Sequence, residues 1–375
     1  MKVALLTYST RPRGGVVHTL SLAEALADLG VDVTVHTVGR HGDTGFFRPV
    51  APSVEVRVAP LDDGDGDGDT VGRRVLRSIE ALAGAVDPRD YDVVHAQDCI
   101  SANAVPGVVR TVHHLDRFTT PELAACHERA IVTPVAHVCV SRAVAVELQD
   151  GWGIEATVIP NGVDAARFAA AAADDVGQAR WREKLGPGPV VLAVGGIEPR
   201  KGTVGLVEAM ARLDRDVPGT RLVIAGGETL FDYRAYREEF DRACERHRVD
   251  PLVLGPVAHD ELPALVAAAD VFAFPSTKEG FGLAAMEALA AGVPVVMSDL
   301  PVLHEVFGDT VGYAGTPTEL AKALATALTT PNPRRSAGRT LAHSHTWKAA
   351  ARAHLALYRR LSGGRGRRGG GRSRG

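Results

Sequence analysis

Short runs of apolar residues alternate along this chain with longer segments in which apolar residues recur every three or four positions. The short runs are typical of β-strands and the longer segments of amphipathic helices. The first predicted strand covers 2–8, and the helix after it places Leu20, Ala23 and Leu26 on one face and ends at Gly30. Because strands and helices alternate from the first residue, the pattern predicts parallel sheets covered by helices.

The strand pattern occurs twice. In the first half, two strands that alternate valine with polar residues, 31–35 and 54–58, are predicted to be half-exposed. Four more strands are predicted to follow them, at 92–96, 109–113, 135–141 and 157–160. The second half restarts with the continuously apolar run 190–194, which predicts a strand buried on both faces. Further strands are predicted at 221–225, 252–254, 271–274 and 294–297.

We therefore predict an α/β fold with two doubly wound parallel-sheet domains, at 1–165 and 166–345. A final helix at 346–362 has its apolar residues on one side, so it must pack against another element. The segment 363–375 contains only glycine, arginine and one serine. Because it cannot bury apolar surface, it is predicted to be a disordered tail.

The composition fits two globular domains. The chain has 375 residues, against a usual ~150 per domain, and 45% hydrophobic with 23% charged residues excludes a disordered, collagen-like or coiled-coil protein. A formal net charge of −3 argues against a body that coats nucleic acid or anionic membranes, so no nucleic-acid partner is expected. The five arginines of the tail leave two alternatives open: weak contact with a membrane surface, and a non-enzymatic nucleic-acid binder.

Cysteine and apolar patterning predict a cytoplasmic protein. The four cysteines are scattered and form no Cys-x-x-Cys pair. No apolar run approaches the ~18 residues needed to cross a bilayer, and the N-terminus lacks the apolar core of a signal peptide. The acidic loop 62–69 resembles the start of a calcium-binding EF-hand loop, but Arg74 stands where a bidentate glutamate is required, so no metal site is predicted.

Two loops at predicted strand ends carry the candidate chemistry. The first runs from Glu279 through two glycines into a helix that starts near Leu283, with Glu287 about a turn and a half further on. The second precedes another helix and ends in Arg200 and Lys201. Loops at the carboxyl ends of parallel strands bind ligands in open α/β sheets. Glycines let backbone amides approach a ligand closely, and helix N-termini and cations favour a diphosphate there.

These loops resemble the retaining glycosyltransferases of family 4, which have the GT-B fold of two facing Rossmann-like domains with a C-terminal helix returning to the first. The resemblance implies that Glu279 contacts hydroxyls of the donor sugar and that Glu287 binds the ribose. Lys201 matches a family lysine that grips the donor diphosphate, whereas Gly196 occupies the position of the family arginine. We hypothesise that Arg200 supplies the missing charge. The backbone amides expected to support the sugar and phosphates belong to Gly280, Phe281, Gly282 and Leu283.

The N-terminal half resembles the same family less specifically. Gly14 and Gly15 follow the first strand, as in the glycine-rich loop that faces the donor and acceptor. The histidine after the Thr-Val strand often contacts the donor sugar, a role carried here onto His113, with His114 as the neighbour that could face the ligand instead. His95 is an acceptor-side candidate, and His18 is expected on the helix surface.

The resemblance implies a hexosyltransferase-type enzyme that moves a sugar from a nucleoside-diphosphate sugar to an acceptor hydroxyl, with retention of configuration and without metal or other cofactor. Fixed cations and backbone dipoles would stabilise the departing diphosphate. A sugar-nucleotide epimerase or a phosphorylase on the same fold stays an alternative. The sequence names neither the donor's base and sugar nor the acceptor.

Overall fold

The computed structural model describes residues 1–61, 70–116, 121–226 and 233–368, the last five as backbone only. They form two compact units, Met1–Gly162 with Trp347–Gly375 and Val163–Thr346. The boundary falls at 162/163 rather than the predicted 165/166. The acidic loop 62–69 and the end of the tail, 369–375, lie outside the described residues.

The first unit, unit 1, is built on a seven-stranded sheet in which every recorded pairing is parallel. Its strands, in chain order, are β1 (Lys2–Leu6), β2 (Asp32–Gly39), β3 (Val54–Pro60), β4 (Val93–Ala96), β5 (Val109–Val112), β6 (Ala136–Cys139) and β7 (Thr157–Val158). Their order across the sheet is β3-β2-β1-β4-β5-β6-β7. The prediction that β2 is half-exposed is wrong, because β2 lies between β3 and β1 and is buried along almost its whole length. The edge strand β3 is half-exposed as predicted.

Helices connect these strands. They are α1 (Gly14–Ala27), α2 (Val71–Ala85), α3 (Cys99–Ala104), α4 (Pro121–Val132) and α5 (Arg142–Trp152). Side chains of Thr70, Asp98 and Ser141 accept hydrogen bonds from the first-turn amides of α2, α3 and α5, which fixes where those helices begin.

The second unit, unit 2, contains a six-stranded parallel sheet in the order β10-β9-β8-β11-β12-β13. Its strands are β8 (Val190–Val194), β9 (Arg221–Ala225), β10 (Leu252–Gly255), β11 (Val271–Phe274), β12 (Val295–Ser298) and β13 (Gly312–Ala314). Its helices are α6 (Ala165–Ala171), α7 (Asp175–Leu185), α8 (Thr203–Leu213), α9 (Arg234–His247), α10 (Leu262–Ala267), α11 (Leu283–Ala291), α12 (Pro301–Phe307), α13 (Pro317–Thr329) and α14 (Arg335–Ser344). The two sheets confirm the predicted fold of two doubly wound parallel-sheet domains.

The last helix, α15 (Trp347–Arg368), returns to unit 1, as the GT-B resemblance implies. Its buried side chains join the core formed by α1 and the sheet. The helix continues to Arg368, beyond the predicted end at 362.

Tyr358 fixes α15 to the sheet through a hydrogen bond, since its Oη lies 2.6 Å from Nδ1 of His95 on β4, and both residues are fully buried. Tyr358→Phe leaves that nitrogen without its partner, so we expect a loss of about 1–3 kcal/mol in the free energy of unfolding. The thermal midpoint should fall by several degrees, about 2–4 °C per kcal/mol. Arg359→Ala, on the exposed side of the same helix, is the matched control, and equal midpoints for the two variants would contradict the assignment.

Candidate functional site

The strand order of unit 2 reverses between β8 and β11. The chain proceeds from β8 to β9 on one side and from β11 to β12 on the other, while β8 and β11 are paired neighbours. Such a reversal leaves a crevice at the carboxyl ends of the two strands, where open α/β sheets bind ligands. The loops that open there are 195–202 and 275–282, which are the two loops predicted to carry chemistry.

The carboxylate of Glu279 joins the two loops. Its Oε1 accepts hydrogen bonds from Lys201 Nζ at 2.6 Å, from Arg200 Nη1 at 3.1 Å and from Ser276 Oγ at 3.2 Å. The backbone also crosses between the loops, because Thr277 N donates to the carbonyl of Arg200 at 2.8 Å. The structure therefore brings Glu279, Arg200 and Lys201 together across 78 residues of sequence.

Glu198 is a member of this cluster that the sequence analysis missed. Its side chain is only 10% exposed, and its Oε1 accepts a hydrogen bond from Arg200 Nη2 at 3.1 Å. Arg200 is thereby held between two carboxylates, those of Glu198 and Glu279. The fully buried Ser276 was also missed. The one sequence signal for Glu198 is an acid two residues before the arginine in an otherwise apolar and proline-containing turn.

Glycines let the loop after β8 fold tightly. Gly202 has φ +63° and precedes α8, and a Cβ there would lie 2.0 Å from the carbonyl oxygen of Pro275. A Cβ on Gly195 would lie 3.2 Å from the Lys201 side chain, so that side chain runs along bare backbone. Lys201 Nζ also lies 5.2 Å from the centre of the Phe274 ring, a cation–π distance. The position of Lys201 is thus set by packing as well as by charge.

The start of α11 places the remaining predicted donor residues. Gly282 is its N-cap with φ +93°, a conformation that favours glycine, and Leu283 is its first residue. The Phe281 side chain is buried, with its ring centre 5.6 Å from that of His345, so only its backbone faces the loop. Gly280 is buried and Gly196 partly buried.

Glu287 lies one and a half turns into α11 and is partly buried. Burial raises its pKa to about 7, and the negative charge of Asp164 adds to the shift, while Arg167 acts against it. Asp164 is the residue before α6, and Arg167 lies at the start of that helix. Helix α11 therefore presents a carboxylate whose charge is only partly compensated.

Unit 1 reverses its strand order between β1 and β4, and the glycine loop and the histidines lie there. The structure brings Gly15 and His113 together, because a Cβ on Gly15 would lie 3.7 Å from His113 Nε2. The space around the Cβ position of Gly14 is open among the described residues. His114 Nε2 lies 3.1 Å from Asp116 Oδ2, and the His114 side chain is partly exposed.

His18 was expected on the helix surface, and this prediction is wrong. Its side chain is fully buried because α15 covers that side of α1, with the Trp347 ring 5.3 Å away. Its Nδ1 lies 2.9 Å from Asn161 Oδ1, and its ring is 4.8 Å from that of His113. His18 therefore packs against the ring of His113.

His95 does not fit the acceptor-side role predicted for it. It is fully buried, with Nε2 2.8 Å from Thr111 Oγ1 and Nδ1 2.6 Å from Tyr358 Oη, so neither ring nitrogen is left for an acceptor. The long-range contact with α15 is the physical reason.

Burial keeps the histidines of this cluster neutral. It lowers the pKa of His113 to about 3 and that of His354 to about 4, and nearby histidines add to the effect at His113. The pKa values of His18 and His95 are lowered for the same reasons. Among the described residues, which exclude 117–120, the Nε2 atoms of His18 and His113 have no hydrogen-bond partner. The region thus offers neutral polar groups to a ligand.

Across 1–61, 70–116, 121–226 and 233–368, no three His, Cys, Asp or Glu side chains are placed to hold a metal ion. Within the same ranges, no helix has the length and apolar character that a membrane span requires.

Both halves of the chain match models of protein families. Residues 177–342 match the model described as glycosyl transferases group 1, and residues 12–167 match that of glycosyltransferase family 4. The chain is 30% identical to D-inositol 3-phosphate glycosyltransferase of Kineococcus radiotolerans over 96% of its own length and 95% of that protein. It is 37% identical to glycogen synthase of Mycobacterium tuberculosis, but this match covers 57% of the chain and about half, 50%, of that protein.

Solved structures share the fold. Sucrose-phosphate synthase from Thermosynechococcus elongatus superposes with a TM-score of 0.77 at 22% identity, covering 96% of this chain and 98% of that one. HepE of Anabaena, in complex with UDP and glucose, superposes with a TM-score of 0.73 at 21% identity, covering 95% and 98%. At these identities the likeness concerns the fold alone.

The raised pKa of Glu287 predicts a pH-dependent stability. An ordinary glutamate titrates at 4.5, so between about 4.5 and 7 the folded state keeps a proton that the unfolded state has lost. The free energy of unfolding should fall as pH rises through this window. Glu287→Gln should therefore be more stable than the parent above pH 7, by about 3 kcal/mol, and similar to it below pH 4.5.

Thermal midpoints at pH 4.5 and pH 8 measure this effect. Glu239→Gln, an exposed glutamate on α9, is the matched control and should show no pH-dependent difference. A Glu287→Gln variant with the same difference from the parent at both pH values would contradict the assignment.

Proposed function

Since the chain belongs to glycosyltransferase family 4, we propose that it transfers a sugar from a nucleoside-diphosphate sugar to a hydroxyl group of an acceptor, with retention of the anomeric configuration. The observation that carries the proposal is the cluster at the β8–β11 reversal. There two cations and a nearly buried carboxylate lie together at a helix N-terminus. This arrangement suits binding of the donor and departure of its diphosphate.

The charges of the cluster fit a diphosphate leaving group. As the bond to the sugar breaks, the diphosphate gains negative charge, and positioned cations stabilise that change most in a partly buried site. The exposed fractions of the Lys201 and Arg200 side chains are 18% and 28%, so both are partly shielded from water yet reachable by a ligand. The N-terminus of α8, which begins two residues after Lys201, adds backbone amides.

Glu279 has two roles in this proposal. Without a donor, its carboxylate compensates the charges of Lys201 and Arg200 and keeps both side chains in place. When the nucleotide sugar is bound, its diphosphate accepts hydrogen bonds from N–H groups of both cations. The carboxylate is then left to accept hydrogen bonds from sugar hydroxyls. Lysine has three N–H donors and arginine five, so each can serve the carboxylate and the phosphates together.

The proposal extends to features that depend on the family resemblance. The Gly14-Gly15 loop faces the donor phosphates and the acceptor, His113 contacts the donor sugar, and Glu287 binds the ribose. Lys201 and Arg200 supply the charge stabilisation that a divalent metal would otherwise give, so transfer proceeds without metal or other cofactor. We name no nucleophile from the protein. HepE has been solved with UDP-glucose, which makes UDP-sugars the first donors to test.

Donor binding is the direct test. A bound donor stabilises only the folded protein, by about 2.7 kcal/mol at a concentration 100 times its dissociation constant. We expect one class among UDP-, GDP- and ADP-sugars to raise the thermal midpoint, and release of the nucleoside diphosphate to require an added alcohol. Conversion of the donor into another nucleotide sugar, with no net release of the nucleoside diphosphate, would instead favour epimerisation. No shift with any class at about 1 mM, the upper end of usual KM values, would contradict the proposal.

Substitutions of the two cations test whether Arg200 replaces the arginine absent at Gly196. Charge-assisted hydrogen bonds contribute about 1.5–3 kcal/mol, so Lys201→Ala and Arg200→Ala should each lower kcat/KM by about 10- to 100-fold with the fold intact. Arg212→Ala and Lys322→Ala remove exposed cations of the same unit and serve as controls. If Arg200→Ala matched the controls while Lys201→Ala abolished activity, the compensating role of Arg200 would be excluded.

A further inference from the structure

Three polar groups that the proposed function does not use lie on one face of the unit-1 sheet, where Arg110 and Cys126 are buried and Cys99 is partly buried. Side chains alternate between the faces of a strand, so Arg110 on β5 points away from Val109, which belongs to the core shared with α1 and α15. On this second face lie α3 and α4, which carry the thiols of Cys99 and Cys126. Both cysteines are in the reduced, free form.

The two cysteines are held in contact. Asn103 Nδ2 donates to the carbonyl oxygen of Cys99 at 2.7 Å and to that of Cys126 at 2.8 Å, and it lies 3.3 Å from Cys126 Sγ. The Cys99 and Cys126 side chains are close enough to influence each other's pKa, and the His127 side chain acts on that of Cys99. A single amide thus ties the start of α3 to the middle of α4 and keeps the sulfurs adjacent.

A buried cation lies beside this pair. Arg110 is 3% exposed, and among the described residues its Nε and Nη1 have no hydrogen-bond partner. The neighbouring acid, Asp98, accepts its hydrogen bonds from the amides of Ser101, at 2.8 Å, and Tyr8, at 3.1 Å. Arginine does not lose its proton in proteins, so this guanidinium favours a negative charge nearby. It acts electrostatically on both Cys99 and Cys126.

The pKa values of the two thiols are shifted in opposite directions. The Cys99 side chain lowers the pKa of Cys126, with Arg129 and Arg110 acting in the same direction. The Cys126 side chain, together with burial, raises the pKa of Cys99. Burial alone raises the pKa of Cys139 to about 12 and is the main cause that raises that of Cys244 to about 11. Cys126 is therefore the cysteine whose thiolate the surroundings stabilise.

We propose that Cys99 and Cys126 form a redox-active dithiol, which hydroperoxides convert to a disulfide and small thiols reduce again. The Cys126 thiolate attacks a peroxide oxygen, the O–O bond breaks, and hydroxide leaves as the sulfenic acid forms. The Cys99 sulfur then attacks the Cys126 sulfur, the S–S bond forms, and water leaves with the proton of the Cys99 thiol. Two electrons pass from the sulfurs to the peroxide. Cys99, which is partly exposed, gives the buried pair its access to solvent.

The test measures the covalent product and does not depend on sugar transfer. The reduced full chain is treated with stoichiometric hydrogen peroxide, and intact mass and peptide maps are recorded over time. We expect a loss of two hydrogens, a cross-link between the Cys99 and Cys126 peptides, and recovery with dithiothreitol. Cys99 and Cys126 should react at least about 10-fold faster than Cys139 and Cys244, because the thiolate is the reacting form.

Variants separate the pair from the rest of the chain. The double variant Cys139→Ser/Cys244→Ser should form the same cross-link at the same rate, whereas Cys99→Ser and Cys126→Ser should each form none. Arg110→Lys keeps a cation and should stay close to the parent rate, while Arg110→Met should oxidise several-fold more slowly. Circular dichroism establishes that each variant is folded. Sulfinic or sulfonic acid on unlinked cysteines, or no reaction at the pair before Cys139 and Cys244 react, would overturn the proposal.

Discussion

The carboxylate of Glu279 is the point on which the geometry of the unit-2 site depends. One of its oxygens accepts hydrogen bonds from Lys201, Arg200 and Ser276. These residues belong to two loops that are far apart in sequence and lie close together because β8 and β11 are neighbours in the sheet. Burying a charge is costly unless it is paired and hydrogen-bonded. The carboxylate of Glu279 is paired with Lys201 and Arg200, and both cations are paired with Glu279. The three side chains therefore hold one another in place before a ligand binds.

In unit 1 the buried histidines are neutral, so they need no ion pairs. Its histidines are buried behind α15, and burial lowers their pKa values, so they remain neutral groups packed by hydrogen bonds and ring contacts. His95 uses both ring nitrogens in this packing, whereas His113 keeps one that no described residue satisfies. A neutral imidazole beside bare glycine backbone suits sugar hydroxyls, while the cations of unit 2 suit phosphates.

Local patterns sufficed for the fold and for the loops that carry chemistry. Periodicity located the strands and the start of α11. The errors all come from long-range packing. The sequence shows neither that β2 lies between two other strands nor that α15 covers α1, and these two facts bury β2, His18 and His95. Glu198 went unnoticed because its importance arises only from its contact with Arg200.

The pairing of Glu198 with Arg200 also bears on why a glycine can stand at 196. The backbone is crowded there, since a Cβ on Gly226 would lie 2.2 Å from the carbonyl oxygen of Gly195 and 2.8 Å from Gly196 N. Under the proposal that Arg200 replaces the family arginine, a cation placed four residues later avoids this crowded turn, and its side chain must be held toward the site. Glu198 supplies that restraint, because its nearly buried carboxylate holds one end of the guanidinium while Glu279 holds the other. Arginine can accept both partners because its donors are spread over a rigid plane, which a lysine at 200 would lack.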